Sequence, residues 1–88
     1  MELNQAVNEL NSLFSKYGVK GWKLNEVSSA YSAKIMLKKF GGMGSLNDLY
    51  ICKENGHNIQ SGEESTVNQK VTELLNEVYK GCKLLVRS

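Results

Sequence analysis

The sequence predicts an α+β domain, three helices packed on a β-hairpin in the order α-α-β-β-α. Three observations predict it. Apolar residues recur at helical spacing near both ends of the chain, and Asn55-Gly56 lies between strand-forming residues. Between them the glycine-rich run Gly41-Gly42-Met43-Gly44-Ser45 marks a reversal of the chain.

In the N-terminal segment, Leu3, Val7, Leu10, Phe14 and Tyr17 form one apolar stripe, with Glu2, Asn8, Glu9, Ser12 and Lys16 on the opposite side. This predicts a helix over 2–17, and Gly18 stands where a C-terminal glycine cap would. Residues 18–25 read as a connector. Trp22 and Leu24 are too large to stay in water cheaply, so the connector should fold back over the core, and Asn25 could cap the next element.

Residues 26–40 carry two periodicities. Val27, Tyr31, Ile35 and Ala30, Leu37, Phe40 make adjacent helical stripes, whereas Tyr31, Ala33, Ile35 and Leu37 alternate with Ser32, Lys34, Met36 and Lys38 as in a strand. Length and the cations Lys38-Lys39, suited to the negative end of a helix, select helix, ended by Gly41-Gly42.

Leu46 to Lys53 is rich in strand formers and leads into Asn55-Gly56, two residues that tolerate the positive φ of a type I′ turn. A two-residue loop there would pair Glu54 with His57, Lys53 with Asn58 and Cys52 with Ile59. A competing pattern, Ser45-Leu46-Asn47-Asp48, has the spacing of a capping box opening a short helix. Ser61 and Glu64 repeat that spacing before Val67, Val71, Leu74, Leu75, Val78, Tyr79, Cys82 and Leu85, which predicts the last helix over 62–86. Gly81 inside it costs about 1 kcal/mol against alanine, which points to close helix packing.

Composition sets the class. Eighty-eight residues, 41% hydrophobic and 23% charged, suit a single soluble domain over 1–88. The net charge of +2 is too small to argue for nucleic acid or an anionic membrane. The N-terminus lacks the pattern of an export signal, and no apolar run approaches the roughly 20 residues of a membrane helix. Cys52 and Cys82 therefore read as reduced thiols in a cytoplasm.

The chemistry-bearing residues are few. Successive backbone N–H groups of the Gly41–Ser45 loop could cradle an anion, but a nucleotide loop needs a lysine before the Ser/Thr and runs from strand to helix. A tight reversal in which glycine permits close approach is the plainer reading. Asp48 interrupts an apolar run. It is a solvent-facing carboxylate on an edge strand, a buried acceptor of hydrogen bonds, or part of a ligand site. Cys52 and His57 would share a hairpin face, as an activated thiol requires, yet Cys52 sits in a core-like run and His57 abuts an exposed turn. One histidine and two cysteines cannot complete a zinc site within one chain, so no metal and no cofactor is expected. Lys80, Lys83 and Arg87 make a short basic stripe whose ordinary reading is a solvated helix end.

The run Phe40-Gly-Gly-Met-Gly-Ser-Leu-Asn-Asp-Leu, then Asn55-Gly56-His57, then the helix from Asn68 to Cys82, resembles a small uncharacterised bacterial family of unknown function. The resemblance spans roughly residues 40–82 and is most specific in the Gly-Gly-Met-Gly-Ser-x-Asn-Asp-Leu core. It implies a bacterial cytosolic domain and no catalytic residue. By analogy, small genes of this sort travel in mobile or toxin-neutralising settings.

The expectation is a protein-interaction domain, toxin-neutralising or accessory, that self-associates as a homodimer or binds another protein, with no membrane and no nucleic acid. The rival is a ligand or enzymatic site built on Gly42, Gly44, Ser45, Asp48 and His57.

Overall fold

A computed structural model describes residues 1–41 and 45–87. Helices α1 (Leu3–Lys16), α2 (Ala30–Leu37) and α3 (Glu64–Arg87) carry the fold, with short 3-10 turns at Leu46–Asp48, Lys53–Asn55 and Ser61–Glu63. The described residues contain no β-strand, so the domain is all-helical and the α+β expectation is overturned.

The 24-residue α3 is the spine, and both α1 and α2 pack against it. From α3, Val67, Val71, Leu74, Leu75, Val78 and Cys82 face Val7, Leu10 and Phe14 of α1 and Ala33 and Met36 of α2 in one core. Gly81 lets the two long helices approach closely. A Cβ there would stand 3.0 Å from Leu3 Cδ1 and 3.2 Å from Leu3 Cβ.

α1 begins on Glu2, whose carboxylate accepts the N–H groups of Asn4 and Gln5, both at 3.1 Å. It ends as the sequence indicates. Gly18 turns left-handed (φ 66), the Val19 N–H donates to Phe14 O at 2.8 Å, and the Gly18 N–H donates to Ser15 O. That pair of bonds is a Schellman motif, which satisfies carbonyls the helix end leaves over.

α2 is shorter than 26–40. Ser29, not Asn25, caps it, in a reciprocal box where Ser32 Oγ accepts the Ser29 N–H at 2.9 Å. The chain before Ser29 stays extended because Asn4 and Asn11 of α1 hold the backbone groups of Val27 and Leu24. Only Ala33 and Met36 of α2 are buried; Tyr31 is 76% exposed and Ile35 42%. Tyr31 and Ile35 of one expected stripe therefore face water, although its first member, Val27, is in the core, and the buried pair Ala33 and Met36 belongs to neither stripe.

The hairpin fails for a local reason. A type I′ turn needs left-handed φ at both Asn55 and Gly56, and Gly56 alone adopts it (φ 84). Asn55 closes a 3-10 turn instead, with its N–H on Cys52 O and its side-chain amide donating to Tyr50 O at 2.9 Å. The groups that a ladder would use are already taken. Ile51 is bonded by Asn68, the Cys52 N–H by His57 Nδ1, the Lys53 N–H by Glu64 and the Asn58 N–H by Tyr17 O. Glu64 is thus spent on Lys53, and Ser61 opens a 3-10 turn with Gln60 as its cap residue, in place of the expected Ser61/Glu64 box. Leu46–Asp48 is a helical turn, the competing pattern, although Ser45 makes no side-chain cap bond.

Candidate functional site

Two irregular segments, 18–29 and 49–60, lie over the helices, and asparagine side chains fix both. Asn11 Oδ1 accepts the Leu24 N–H while its Nδ2 donates to Leu24 O, each at 2.8 Å. One heptad earlier on α1, Asn4 does the same to Val27, again at 2.8 Å. On α3 the buried Asn68 grips Ile51 through both backbone groups at 2.8 Å and donates also to Glu64 O at 2.7 Å. Each amide imitates the edge of a neighbouring strand, offering one donor and one acceptor to one residue. Leu24, Val27 and Ile51 are thereby pinned with their side chains in the core.

This pinning assembles a cleft of about 250 Å³ lined by Trp22, Ser45, Asp48, Leu49, Tyr50, Asn55 and His57. Of the residues singled out from the sequence, Ser45, Asp48 and His57 meet here, while Gly42 and Gly44 lie outside the described residues. Beside the cleft the Leu46 N–H donates to Lys39 O at 2.8 Å. Asp48 is exposed, at the end of a helical turn and not on a strand. On its other side, Asp48, Leu49 and Tyr50 border a second hollow of about 390 Å³, walled by Asn47 and, from α3, Ser65, Asn68, Gln69 and Thr72.

The geometry limits what the cleft can do. His57 Nδ1 accepts the Cys52 N–H at 3.1 Å, which places the ring proton of the neutral imidazole on Nε2. The ring is then a donor toward any guest, with no free lone pair to act as base. The Ser45 hydroxyl oxygen is buried without a hydrogen-bond partner among the described residues, so Ser45 and His57 do not form a nucleophile–base pair. Cys52 is buried, and it meets His57 through its backbone N–H. Among the described residues no three His, Cys, Asp or Glu side chains gather as a metal site. What remains is a surface that hydrogen-bonds and offers aromatic faces, with Tyr50 48% exposed and Trp22 half-buried.

Sequence reasoning missed the three asparagines and Trp22 as site-forming residues. A signal was present. Asparagine is a poor helix former, and Asn4 and Asn11 recur at a seven-residue interval beside the apolar stripe, where side chains meet a neighbouring segment.

Residues 20–60 match the model of a domain of unknown function (DUF6966). All seven residues lining the cleft, and all of α2, fall within that stretch, whereas α1 and α3 lie outside it. The match overlaps the resemblance seen in the sequence over 40–60 and extends it toward the N-terminus, across the connector that Asn4 and Asn11 hold. No curated protein and no solved structure matches the chain. No helix among the described residues is long and apolar enough to cross a membrane.

Proposed function

We propose that this protein is a small protein-interaction domain that self-associates, with α2 as the contact face. The observation that carries this reading is the outward turn of Tyr31 and Ile35, one helical turn apart, on a helix whose opposite face is already in the core. An eight-residue helix gains nothing in water from a second apolar stripe; burying it against another copy recovers roughly 25 cal/mol per Å². Both residues lie in the stretch similar to the domain of unknown function. The free, buried thiols of Cys52 and Cys82 suit a reducing bacterial cytoplasm, and a role in neutralising or accompanying a partner is compatible with a module of this kind. Light scattering over about 1–100 µM should show a dimer, and Tyr31→Asp with Ile35→Asp should return it to monomer with helix content intact. A monomer at every concentration overturns the proposal.

A second reading is favoured by the buried Ser45 hydroxyl, unpartnered among the described residues: the cleft takes a small polar guest that bonds Ser45, Asp48 and the Nε2–H of His57. In a thermal-shift screen of polar metabolites, Asp48→Asn and His57→Ala should abolish any stabilisation found; shifts that survive both changes exclude this site.

A further inference from the structure

The last two turns of α3 hold a surface separate from α2's outer face and from the cleft. Tyr79, Lys80, Lys83, Leu84 and Arg87 border a hollow of about 330 Å³. At 100° per residue they cover an arc of about 140°, with Tyr79 and Leu84 at its edges and the three cations between them. Leu84 is 64% exposed and Tyr79 40%. Among the described residues no acidic side chain lines the hollow. The one ion pair among the described residues joins the N-terminal amine to Glu77, so these cations have no carboxylate partner there.

We propose that this face docks an acidic amphipathic segment of a partner protein, whose apolar side chains cover Leu84 and the edge of Tyr79 and whose carboxylates meet Lys80, Lys83 and Arg87. Charge complementarity selects the partner's sign, and the apolar edges select its amphipathic character. The helix dipole accounts for cations in the final turn. It does not account for Lys80, two turns from the end, or for an exposed leucine beside them. A single-stranded nucleic acid would need an open aromatic face for stacking, and the Tyr79 ring is already engaged. Phe40 packs against it at 5.4 Å between centroids, and Lys83 Nζ sits 5.5 Å above it. A bilayer surface asks for a broader apolar face than two separated side chains supply.

Fluorescence anisotropy tests this with a labelled peptide of about 15 residues carrying Glu and Leu at helical spacing. The comparison probes are the same peptide with Lys in place of Glu, an oligodeoxythymidine and phosphatidylserine vesicles. The acidic peptide should bind in the micromolar range and the basic one should not. Lys83→Glu with Arg87→Glu should weaken binding at least about tenfold, as should salt near 0.5 M, and Leu84→Ser should weaken it several-fold. All three positions are exposed, and circular dichroism should show unchanged helix content. Absence of binding, binding indifferent to Lys83→Glu with Arg87→Glu, or tighter binding of the oligonucleotide or vesicles overturns the proposal.

Discussion

The helical frame and the two irregular segments over it are held by different forces. α1 and α3 meet through Val7, Leu10, Phe14, Val71, Leu74 and Val78, each at most 2% exposed, so burial of apolar area fixes them. Segments 18–29 and 49–60 bury only scattered anchors, among them Leu24, Val27, Ile51 and Ile59, and are positioned by hydrogen bonds from Asn4, Asn11, Asn68 and Tyr17. The contrast teaches that a connector can be as well placed as a strand without a sheet, provided helices supply amides that satisfy its backbone. It also locates the candidate cleft, whose residues stand mostly on the bonded segments and not on the frame.

A paired measurement breaks the two regions apart. Phe14→Ala should cost about 3–5 kcal/mol in urea denaturation, a large share of what a domain this size has, and all probes should move together. Asn68→Ala should cost less, about 2–3 kcal/mol, because it strands the Ile51 N–H and carbonyl in the core. Its effect on hydrogen exchange should be local, with Ile51 losing protection while the α1 amides keep theirs. If Asn68→Ala costs under about 1 kcal/mol, or melts α1 equally, the amide clamps are not what holds the connector.

The smallest effect belongs to the frame alone. Burial pushes the Cys82 thiol above its ordinary pKa, since the core disfavours the thiolate. An acid whose pKa is higher folded than unfolded is stabilising while the unfolded chain also keeps its proton, and that contribution is lost as pH rises past about 8.5. Stability should therefore decline on the alkaline side of that value, and Cys82→Ala should lessen the slope while costing some packing. An unchanged alkaline slope in Cys82→Ala would show that other groups produce it.

The outer helices were legible because each is long enough for its apolar spacing to be unambiguous. From Leu3 to Tyr17 and from Val67 to Cys82 most of the predicted stripe residues are buried, though Tyr79 is 40% exposed and Ala6 and Asn68 are buried without belonging to either stripe. Gly18 and Gly81 act as their positions suggest. Between them local preference misled. Leu46 to Lys53 has strand-forming residues, but strand formation is decided by where backbone groups find partners, and here those partners are Asn68, His57 and Glu64. Likewise the 26–40 stripe containing Tyr31 and Ile35 was as apolar as its neighbour, and only the packing of α2 on α3 shows that the helix buries Ala33 and Met36, members of neither, and leaves Tyr31 and Ile35 in water.

By itself, then, the sequence determined the two long helices and the C-terminal cap of α1, because apolar periodicity and capping act within a few residues of the chain. The tertiary structure decided that no described segment pairs as a strand, that Ser45, Asp48 and His57 share a cleft with Trp22, and that α2 shows water an apolar face. The physical reason is that each of these depends on a hydrogen bond or a contact between residues distant in sequence, from Asn4 to Val27 at one end to Asn68 to Ile51 at the other.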